Sequence, residues 1–524
     1  MAAAGWLLSD GLAAAGAAGR IGCGGVAAEG RIGCGVLARR AGPAGPVGCQ
    51  GERSYLRAVV TADPDEALRT VEREIIARRP EHAIEPSLDR IEALVSLLGD
   101  PQRAYPVIHL TGTNGKTSTA RMIETLLRAR GLRTGLFTSP HLSSIQERIC
   151  VDGVPLSADR FVAAYQEILP YLRLVDDSQP VPLSFFEVLV GMAFAVFADA
   201  PVDVAVIEVG MGGTWDNTNV ADGAVAVVTP ISIDHSRHLG NTVAAIAADK
   251  AGIIKPGAVA VLAQQPLEAA EMLLRRVATV GATVAREGIE FGVTSRELAV
   301  GGQLVSIRGL LGEYGDLFLP LFGAYQAGNA ACALAAVEAF AGAAPGGGEG
   351  GPEPLGEALV REAFGMMSSP GRLEIVRRSP TVIVDAAHNP AGMAASMQAL
   401  AEAFTFTDLV GILAVSEDKD VPAMLDQLEP AVSELVVTCN SSSRSMNPAK
   451  LAELATAVFG PDRVTQADRL DDAIEIAVGL ADDAAAAAEA AGALPGGGCG
   501  ILVTGSVITA GDARLLLAPV SGQS

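Results

Sequence analysis

The chain has 524 residues, 49% of them hydrophobic and 19% charged, a composition that excludes an intrinsically disordered protein and leaves room for two to four domains. Acidic residues outnumber basic ones by 60 to 38, for a formal charge of −22, so we expect no nucleic-acid partner. Apolar stretches fall short of the roughly 18 residues of a membrane span, and seven cysteines without a C-x-x-C pair predict no disulfide framework. These counts predict a cytoplasmic protein without a membrane partner.

The amino-terminal segment differs in composition from the rest of the chain. Residues 1–52 are rich in Ala and Gly and contain the hexapeptide G-R-I-G-C-G twice. We interpret this segment as a disordered extension. The apolar spacing over 65–98 is helical, with Pro80 and Pro86 as breaks.

Strand-like apolar runs then alternate with helical segments, which is typical of a mostly parallel sheet built from βαβ units. We predict a large domain over 53–369 and a smaller α/β domain over 370–524, with loop insertions at 341–354 and 482–500. The predicted strands are 105–110, 202–209, 223–228 and 258–263 in the first domain, and 381–384, 409–414, 434–438 and 500–504 in the second.

The sharpest local pattern is V-I-H-L-T-G-T-N-G-K-T-S at 107–118. A strand is predicted to enter a glycine turn, and a helix to continue from there to Arg130. Gly112 and Gly115 allow backbone amides to turn inward, and Lys116 can reach the β- and γ-phosphates of a nucleotide. The pattern is shorter than the usual phosphate-loop motif. We interpret it as an ATP loop; the alternative is a glycine turn with an exposed lysine.

Two further residues follow predicted strands. Glu208 ends the apolar run D-V-A-V-I-E, at the sheet edge where α/β proteins bind ligands. A carboxylate there suits Mg²⁺, and the alternative is a loop cap. His235 follows the next strand-like segment, but a histidine in such a position is by itself more often a capping or core residue.

The motif T-G-T-N-G-K-T-S resembles the ATP loop of the Mur ligase superfamily of amide-bond ligases. From about residue 83 onwards, further motifs are similar in order and spacing to the folylpolyglutamate synthase family, which is often bifunctional with dihydrofolate synthase. These motifs are T-S-P-H-L-S-S-I-Q-E-R-I from Thr138, E-V-G-M-G-G-T-W-D-N-T-N from Glu208, I-S-I-D-H-S from Ile231, D-K-A-G-I-I-K from Asp249, P-G-R-L-E-I-V from Pro370, V-D-A-A-H-N-P from Val384 and S-E-D-K-D from Ser416.

The resemblance implies an α/β fold: a large phosphate-loop-type ATP-binding domain with a mostly parallel sheet, and a smaller Rossmann-like carboxy-terminal α/β domain. It implies a ligase that uses ATP and one or two Mg²⁺ ions to add L-glutamate to dihydropteroate or to the γ-carboxylate of a folate. A carboxylate must first be phosphorylated to become electrophilic, so this site needs a phosphate cradle and cations. A monomer is expected. The alternatives are a cell-wall ligase acting on a UDP-linked muropeptide and an inactive binding protein with the same fold.

The resemblance also implies roles for individual residues. Lys116, His235 and Lys250 are the expected catalytic residues, and Lys250 is expected to be carbamylated, which would create an oxygen ligand for a hard cation. One Mg²⁺ is expected on Ser139, Glu208 and His235. The expected ATP contacts are Gly112, Thr113, Asn114, Gly115, Lys116, Thr117, Ser118, Asn329, Arg372 and Asp385. The expected pterin or folate contacts are Ala83, Ile84, Glu85, Pro86, Ser184, Trp215, Asp216 and Asn217, with His388 and Ser416 on the glutamate side.

Overall fold

The computed structural model describes residues 63–80, 85–343, 353–490 and 498–517. The predicted amino-terminal extension, residues 1–52, lies outside the described residues, and so does most of the predicted insertion at 341–354. Within the described ranges, no helix is both long enough and apolar enough to cross a membrane.

An eight-stranded sheet forms the centre of the first part of the chain. Its strands are β1 (Val107–Thr111), β2 (Thr134–Phe137), β3 (Ile149–Val151), β4 (Val154–Pro155), β5 (Val204–Glu208), β6 (Gly223–Val228), β7 (Val259–Leu262) and β8 (Thr283–Arg286). Their order across the sheet is β4-β3-β2-β5-β1-β6-β7-β8, and only β3 and β4, at one edge, pair antiparallel. The predicted strands of this region and their parallel pairing are confirmed.

Helices cover both faces of this sheet. Alternate residues of β5 point into two cores, Val204 and Val206 into one and Ala205 and Ile207 into the other, which explains its continuous apolar sequence. The helices are α1 (Pro64–Ile76), α2 (Asp89–Leu97), α3 (Lys116–Ala129), α4 (Ala158–Ser178), α5 (Phe185–Asp199), α6 (Ser236–Leu239), α7 (Val243–Lys250), α8 (Leu267–Val280), α9 (Ala324–Ala343) and α10 (Glu357–Gly365). Short 3-10 helices lie at Pro101–Arg103, Ile145–Arg148, Asn217–Val220 and Ala251–Ile253.

A three-stranded antiparallel sheet, which was not predicted from the sequence, follows β8. Its strands are β9 (Gly292–Ala299), β10 (Gly302–Arg308) and β11 (Glu313–Leu319), in the order β11-β10-β9. Residues of β10 and β11, such as Val305 and Leu317, join the core under the larger sheet. We call residues 63–369 the first lobe.

The rest of the chain, the second lobe, is built on a six-stranded sheet in the order β12-β13-β17-β14-β15-β16. Its strands are β12 (Glu374–Arg378), β13 (Thr381–Val384), β14 (Leu409–Leu413), β15 (Glu434–Val437), β16 (Val464–Gln466) and β17 (Gly500–Thr504). Only β12 pairs antiparallel. The helices are α11 (Pro390–Ala403), α12 (Val421–Leu428), α13 (Pro448–Phe459), α14 (Leu470–Ala490) and α15 (Val507–Leu517), with a 3-10 helix at Pro461–Arg463. The predicted α/β class is confirmed.

The prediction of a loop over 482–500 is wrong for its first half. Residues 482–490 continue α14, and β17 begins at Gly500. Alanine has the highest intrinsic helix propensity, so an alanine run next to a helix extends it. Residues 491–497 lie outside the described part of the chain.

Candidate active site

A cavity of about 1550 Å³ lies where the carboxyl ends of the strands of both sheets meet. It is lined by residues that follow β1, β5 and β6 in the first lobe and β13, β14 and β17 in the second. Most of the predicted site residues lie here. These are Glu85, Thr113, Asn114, Gly115, Lys116, Thr117, Ser118, Ser139, Ser184, Glu208, Trp215, Asp216, Asn217, His235, Asn329, Arg372, Asp385, His388 and Ser416.

The phosphate loop connects β1 directly to α3. Gly115 has a φ of 89°, and a Cβ atom there would lie 2.5 Å from Oδ1 of Asn329, so only glycine suits this position. The backbone amides of Thr113 and Asn114 donate hydrogen bonds to the carbonyl oxygen of Pro230, at 3.0 and 3.3 Å. Residues Lys116 to Ser118, the first turn of α3, line the cavity, so the positive end of the helix dipole is available to an anion there.

Lys116 is the first residue of α3. Its Nζ donates hydrogen bonds to the carbonyl oxygens of Gly112 and Thr113, both at 3.3 Å, and the residue is half-buried. The alternative of a glycine turn with an exposed lysine does not fit this arrangement, because the loop folds back around the side chain. Burial lowers the pKa of Lys116, and the negative charges of Glu208 and Asp234 oppose this change.

Glu208 is buried at the end of β5. Its carboxylate accepts hydrogen bonds from Oγ1 of Thr117, at 2.9 and 3.0 Å, and from the backbone amide of Ser139 at 3.3 Å. Burial raises the pKa of Glu208, and the positive charge of Lys116 opposes the rise. A buried carboxylate beside a phosphate loop and the hydroxyl group of Thr117 matches the oxygen ligands that Mg²⁺ prefers.

The residues near Glu208 therefore fit a magnesium ion that would be completed by phosphate and water oxygens. Within the described ranges, no three His, Cys, Asp or Glu side chains are grouped to hold a metal by themselves. His235 lines the same cavity as Ser139 and Glu208. Burial lowers the pKa of His235 to about 3, against the opposing charge of Asp234, so its imidazole is neutral and able to bind a metal at neutral pH.

His235 has a left-handed backbone conformation, with φ 51° and ψ 37°, a region that costs a non-glycine residue about 1 kcal/mol.

The preceding residue, Asp234, is buried and contacts the second lobe. Burial alone would raise the pKa of Asp234, but the hydrogen bond from His388 and the charges of His235, His388 and Lys419 hold it well below its usual value.

Lys250 is the last residue of α7 and is buried. Its Nζ donates a hydrogen bond to the carbonyl oxygen of Gly112 at 2.8 Å. Gly112, Lys116 and Lys250 line a small pocket of about 20 Å³ that also contacts His235. Burial, assisted by the positive charge of Lys116, lowers the pKa of Lys250 to about 7. The structure thus places this amine directly behind the phosphate loop.

The expected ATP contacts of the second lobe lie next to each other at the open end of the antiparallel pair β12–β13. Arg372 lines the cavity, and its positive charge acts on Glu208. Asp385 is buried, and its oxygens accept hydrogen bonds from the backbone amides of Leu373 and Ala387, both at 3.0 Å, and from Oγ of Ser396 at 2.7 Å. In this structure Asp385 therefore fixes the backbone next to Arg372.

Asn329 and Ser118 reach the cavity from the first lobe. Nδ2 of Asn329 donates to Oε1 of Gln326 at 3.1 Å, which leaves its Oδ1 beside Gly115. Oγ of Ser118 lies 2.9 Å from Oγ of Ser369. The phosphate helix is thus tied to the segment that leads into the second lobe.

The expected pterin and folate residues divide into three groups. Ala83 and Ile84 lie outside the described residues, and Pro86 is exposed away from the cavity lining. Ser184 caps α5, and Asp216 caps the turn at Asn217–Val220. These two also line the cavity, as do Trp215, Asn217 and Glu85. Glu85 forms ion pairs with Arg79 at 2.5 Å and Arg90 at 3.6 Å.

Several polar residues that line the cavity were missed by the sequence analysis. Arg79 and Arg90 line it beside Glu85, and Lys419 and Arg444 line it from the second lobe. Lys419 lies in the S-E-D-K-D motif, so the motif was a signal for it. The other three lie outside the motifs, and only the fold brings them to the cavity.

Comparison with known proteins agrees with this geometry. Two family models match, the Mur ligase middle domain over 186–337 and the Mur ligase, glutamate ligase domain, over 371–505. The Mycobacterium tuberculosis dihydrofolate synthase/folylpolyglutamate synthase is 51% identical over 472 residues, 87% of this chain and 96% of that protein.

Solved structures are similar over the same share of the chain. The M. tuberculosis folylpolyglutamate synthase complexed with ADP has 50% identity and a TM-score of 0.82, covering 87% of this chain and 100% of that one. Escherichia coli FolC in complex with DHPP and ADP has 26% identity and a TM-score of 0.71, covering 87% and 99%. The motifs lie around one cavity between the two lobes. Together with the matches above, this shows that the chain belongs to the dihydrofolate synthase/folylpolyglutamate synthase family of Mur-type glutamate ligases.

Proposed function

We propose that this protein uses ATP to join L-glutamate to dihydropteroate and to the γ-carboxylate of folates. The observation that carries the proposal is a single cavity lined by a phosphate loop, the buried carboxylate of Glu208 and polar residues of both lobes. The names of the relatives support both activities. We further propose that the enzyme is a cytoplasmic monomer.

The reaction we propose has two steps. An oxygen of the substrate carboxylate attacks the γ-phosphorus of ATP, the bond from that phosphorus to its bridging oxygen breaks, and ADP leaves. The amine of L-glutamate then attacks the acyl carbon and loses a proton, and inorganic phosphate leaves as the amide forms. Lys116 and Arg372 would stabilise the negative charge that spreads over the phosphoryl oxygens.

The fit at Glu208 supports a magnesium site. Glu208, Ser139 and His235 would hold the ion, with Thr117 beside them. A bound Mg²⁺ neutralises charge on the phosphoryl oxygens during transfer. Asn329 would contact the adenine side, and Trp215 and Asn217 the pterin. His388 and Ser416 would lie on the glutamate side.

We also propose a domain boundary just before Pro370. The two matched family models leave residues 338–370 between them, and the first strand of the second sheet begins at Glu374. Neither domain alone contains the whole proposed site, since residues of the phosphate loop and residues of the second lobe line the same cavity.

The decisive assay offers purified protein, ATP, Mg²⁺ and labelled L-glutamate with one acceptor at a time. Dihydropteroate, tetrahydrofolate and a UDP-linked muropeptide serve as acceptors, and ADP release and labelled product are measured together. We expect turnover with the two pterin compounds and none with the muropeptide. Turnover with the muropeptide alone would mean that the cell-wall alternative is correct, and ATP hydrolysis without labelled product would contradict a ligase.

Replacing Glu208 with glutamine tests the metal site. Glutamine keeps the shape and can still accept a hydrogen bond from Thr117, but it removes a buried charge. We expect turnover at limiting Mg²⁺ to fall about 100-fold, because one anionic ligand is lost. The melting temperature of the metal-free protein should stay the same or rise, since burial disfavours the ionised form. Wild-type turnover at limiting Mg²⁺ would show that Glu208 is not a metal ligand.

A further inference from the structure

One buried carboxylate connects the two lobes at the cavity. The side chain of Asp234, on the segment after β6, is only 7% exposed, and its Oδ1 lies 2.6 Å from Nζ of Lys419, whose side chain is 9% exposed. Its Oδ2 accepts a hydrogen bond from Nδ2 of Asn389 at 3.2 Å. Nε2 of His388 lies 3.5 Å from the same oxygen. Three groups of the second lobe thus converge on one carboxylate of the first.

The segment that carries Asp234 is bonded to the phosphate loop. Oγ1 of Thr113 donates a hydrogen bond to the carbonyl oxygen of Ser232 and accepts one from its backbone amide, both at 3.0 Å. The side chains of Asn114 and Asn389 exchange two hydrogen bonds across the lobes, at 3.1 and 3.3 Å. The position of the second lobe is therefore linked to that of the loop.

We propose that Asp234 is a positioning residue that docks the second lobe on the phosphate loop. A buried carboxylate is costly unless it is paired and fully hydrogen-bonded. Its partners lie on two separate loops of the second lobe, at 388–389 and at 419. Only one orientation of the lobes satisfies all of them. The cluster therefore selects an orientation, and adds little to the stability of either lobe.

The orientation that Asp234 selects is the one that brings Arg372 to the cavity. Arg372 lies on the same lobe as Lys419 and has no bond of its own to Asp234, so Asp234 acts on the reaction through the lobe as a whole. This separates its role from that of a residue that touches the phosphates.

Another ion pair between the same lobes provides a matched control. Arg296 of β9 and Glu402 of α11 lie 2.7 Å apart, and neither lines the cavity. Replacing Glu402 with glutamine removes a charge at the lobe interface, as replacing Asp234 with asparagine does, but leaves the cavity intact.

The test compares Asp234→Asn, Glu402→Gln and the wild-type full-length protein. We expect kcat of Asp234→Asn to fall about 100-fold, as when one partner of a buried pair is removed, and the Kd for ADP, measured by calorimetry, to change less than about threefold, because the phosphate loop remains. Small-angle scattering without ligands should give a larger radius of gyration for Asp234→Asn. Glu402→Gln should match the wild type in all three measurements.

A fall in kcat with an unchanged radius of gyration would overturn the proposal, because Asp234 would then act on the chemistry and not on the lobes. A larger radius with wild-type kcat would also overturn it, since docking would not limit turnover. If Asp234→Asn fails to fold, Lys419→Met is measured in its place. This substitution breaks the same ion pair from the side of the second lobe, and we expect the same results.

Discussion

Replacing Lys116 with alanine is expected to lower turnover about 10³-fold while the protein stays folded. Nζ of Lys116 lies within the phosphate loop, bonded to two of its carbonyl oxygens, and a γ-phosphate offers it a stronger, charged acceptor. Nζ of Lys250 cannot replace it there, since that amine is bonded behind the loop to the carbonyl oxygen of Gly112. Stability should change by about 1 kcal/mol or less, because the side chain is only half-buried and its bonds are to carbonyl groups.

The measurement is ADP release with dihydropteroate and L-glutamate, alongside the free energy of unfolding in urea. Arg130→Ala is the matched control, because Arg130 follows the other end of the same helix and is exposed. It should keep wild-type turnover. If Lys116→Ala keeps more than about a tenth of wild-type activity, the helix dipole and the metal are sufficient to stabilise the charge on the phosphoryl oxygens without this lysine.

Loss of most activity is also expected for Lys250→Ala and for Lys250→Arg. We propose that the amine of Lys250 attacks CO₂ and loses a proton, which forms a carbamate. The carbamate nitrogen keeps one hydrogen, so it can still donate to the carbonyl oxygen of Gly112, which now lies 2.8 Å away. Arginine keeps the positive charge but cannot form this group. Activity of the arginine variant would therefore show that the site uses a cation.

The pH dependence follows from the same chemistry. Only the neutral amine reacts with CO₂, and burial lowers the pKa of Lys250 to about 7. The neutral fraction therefore grows as pH rises through this value and shrinks below it. At a fixed concentration of dissolved CO₂, carbamate occupancy and turnover should fall as the pH is lowered from about 8 to about 6.

Carbon-13 NMR with labelled bicarbonate detects the carbamate without relying on activity. We expect a carbamate signal in the wild type and in Lys255→Arg, since Nζ of Lys255 is bonded to the carbonyl oxygens of Asn219 and Ala221 outside the cavity. The signal should be lost in Lys250→Arg. A signal that persists in Lys250→Arg would assign the modification to another amine. Added acetate should restore part of the activity of Lys250→Ala by supplying a free carboxylate.

The placement of the first-lobe residues at one edge of the sheet could be predicted because their motifs follow neighbouring parallel strands. The loop after β1, Glu208 at the end of β5 and the segment after β6 belong to strands that are adjacent in the sheet. Parallel strands bring their carboxyl ends to one edge. Local sequence and this one rule therefore place Lys116 and Glu208 together.

The contacts between the lobes could not be predicted in the same way. Asp234 lies 155 residues from Asn389 and 185 from Lys419, and nothing in the local sequence indicates that they meet. The sheet of β9, β10 and β11 was missed for a different reason. The segment R-E-L-A-V-G-G-Q-L-V-S-I-R mixes charged and apolar residues on half-exposed strands, so it lacks the continuous apolar run of a buried strand.

The left-handed backbone of His235 influences which substitutions at this position a selection experiment will favour. Glycine would adopt the same conformation without the steric cost, so a laboratory selection that rewards only survival at high temperature will favour glycine at position 235. The imidazole would be lost from the cavity in the same step. Evolution experiments on this chain must therefore reward product formation in every round if an imidazole is to be kept at this place in the cavity.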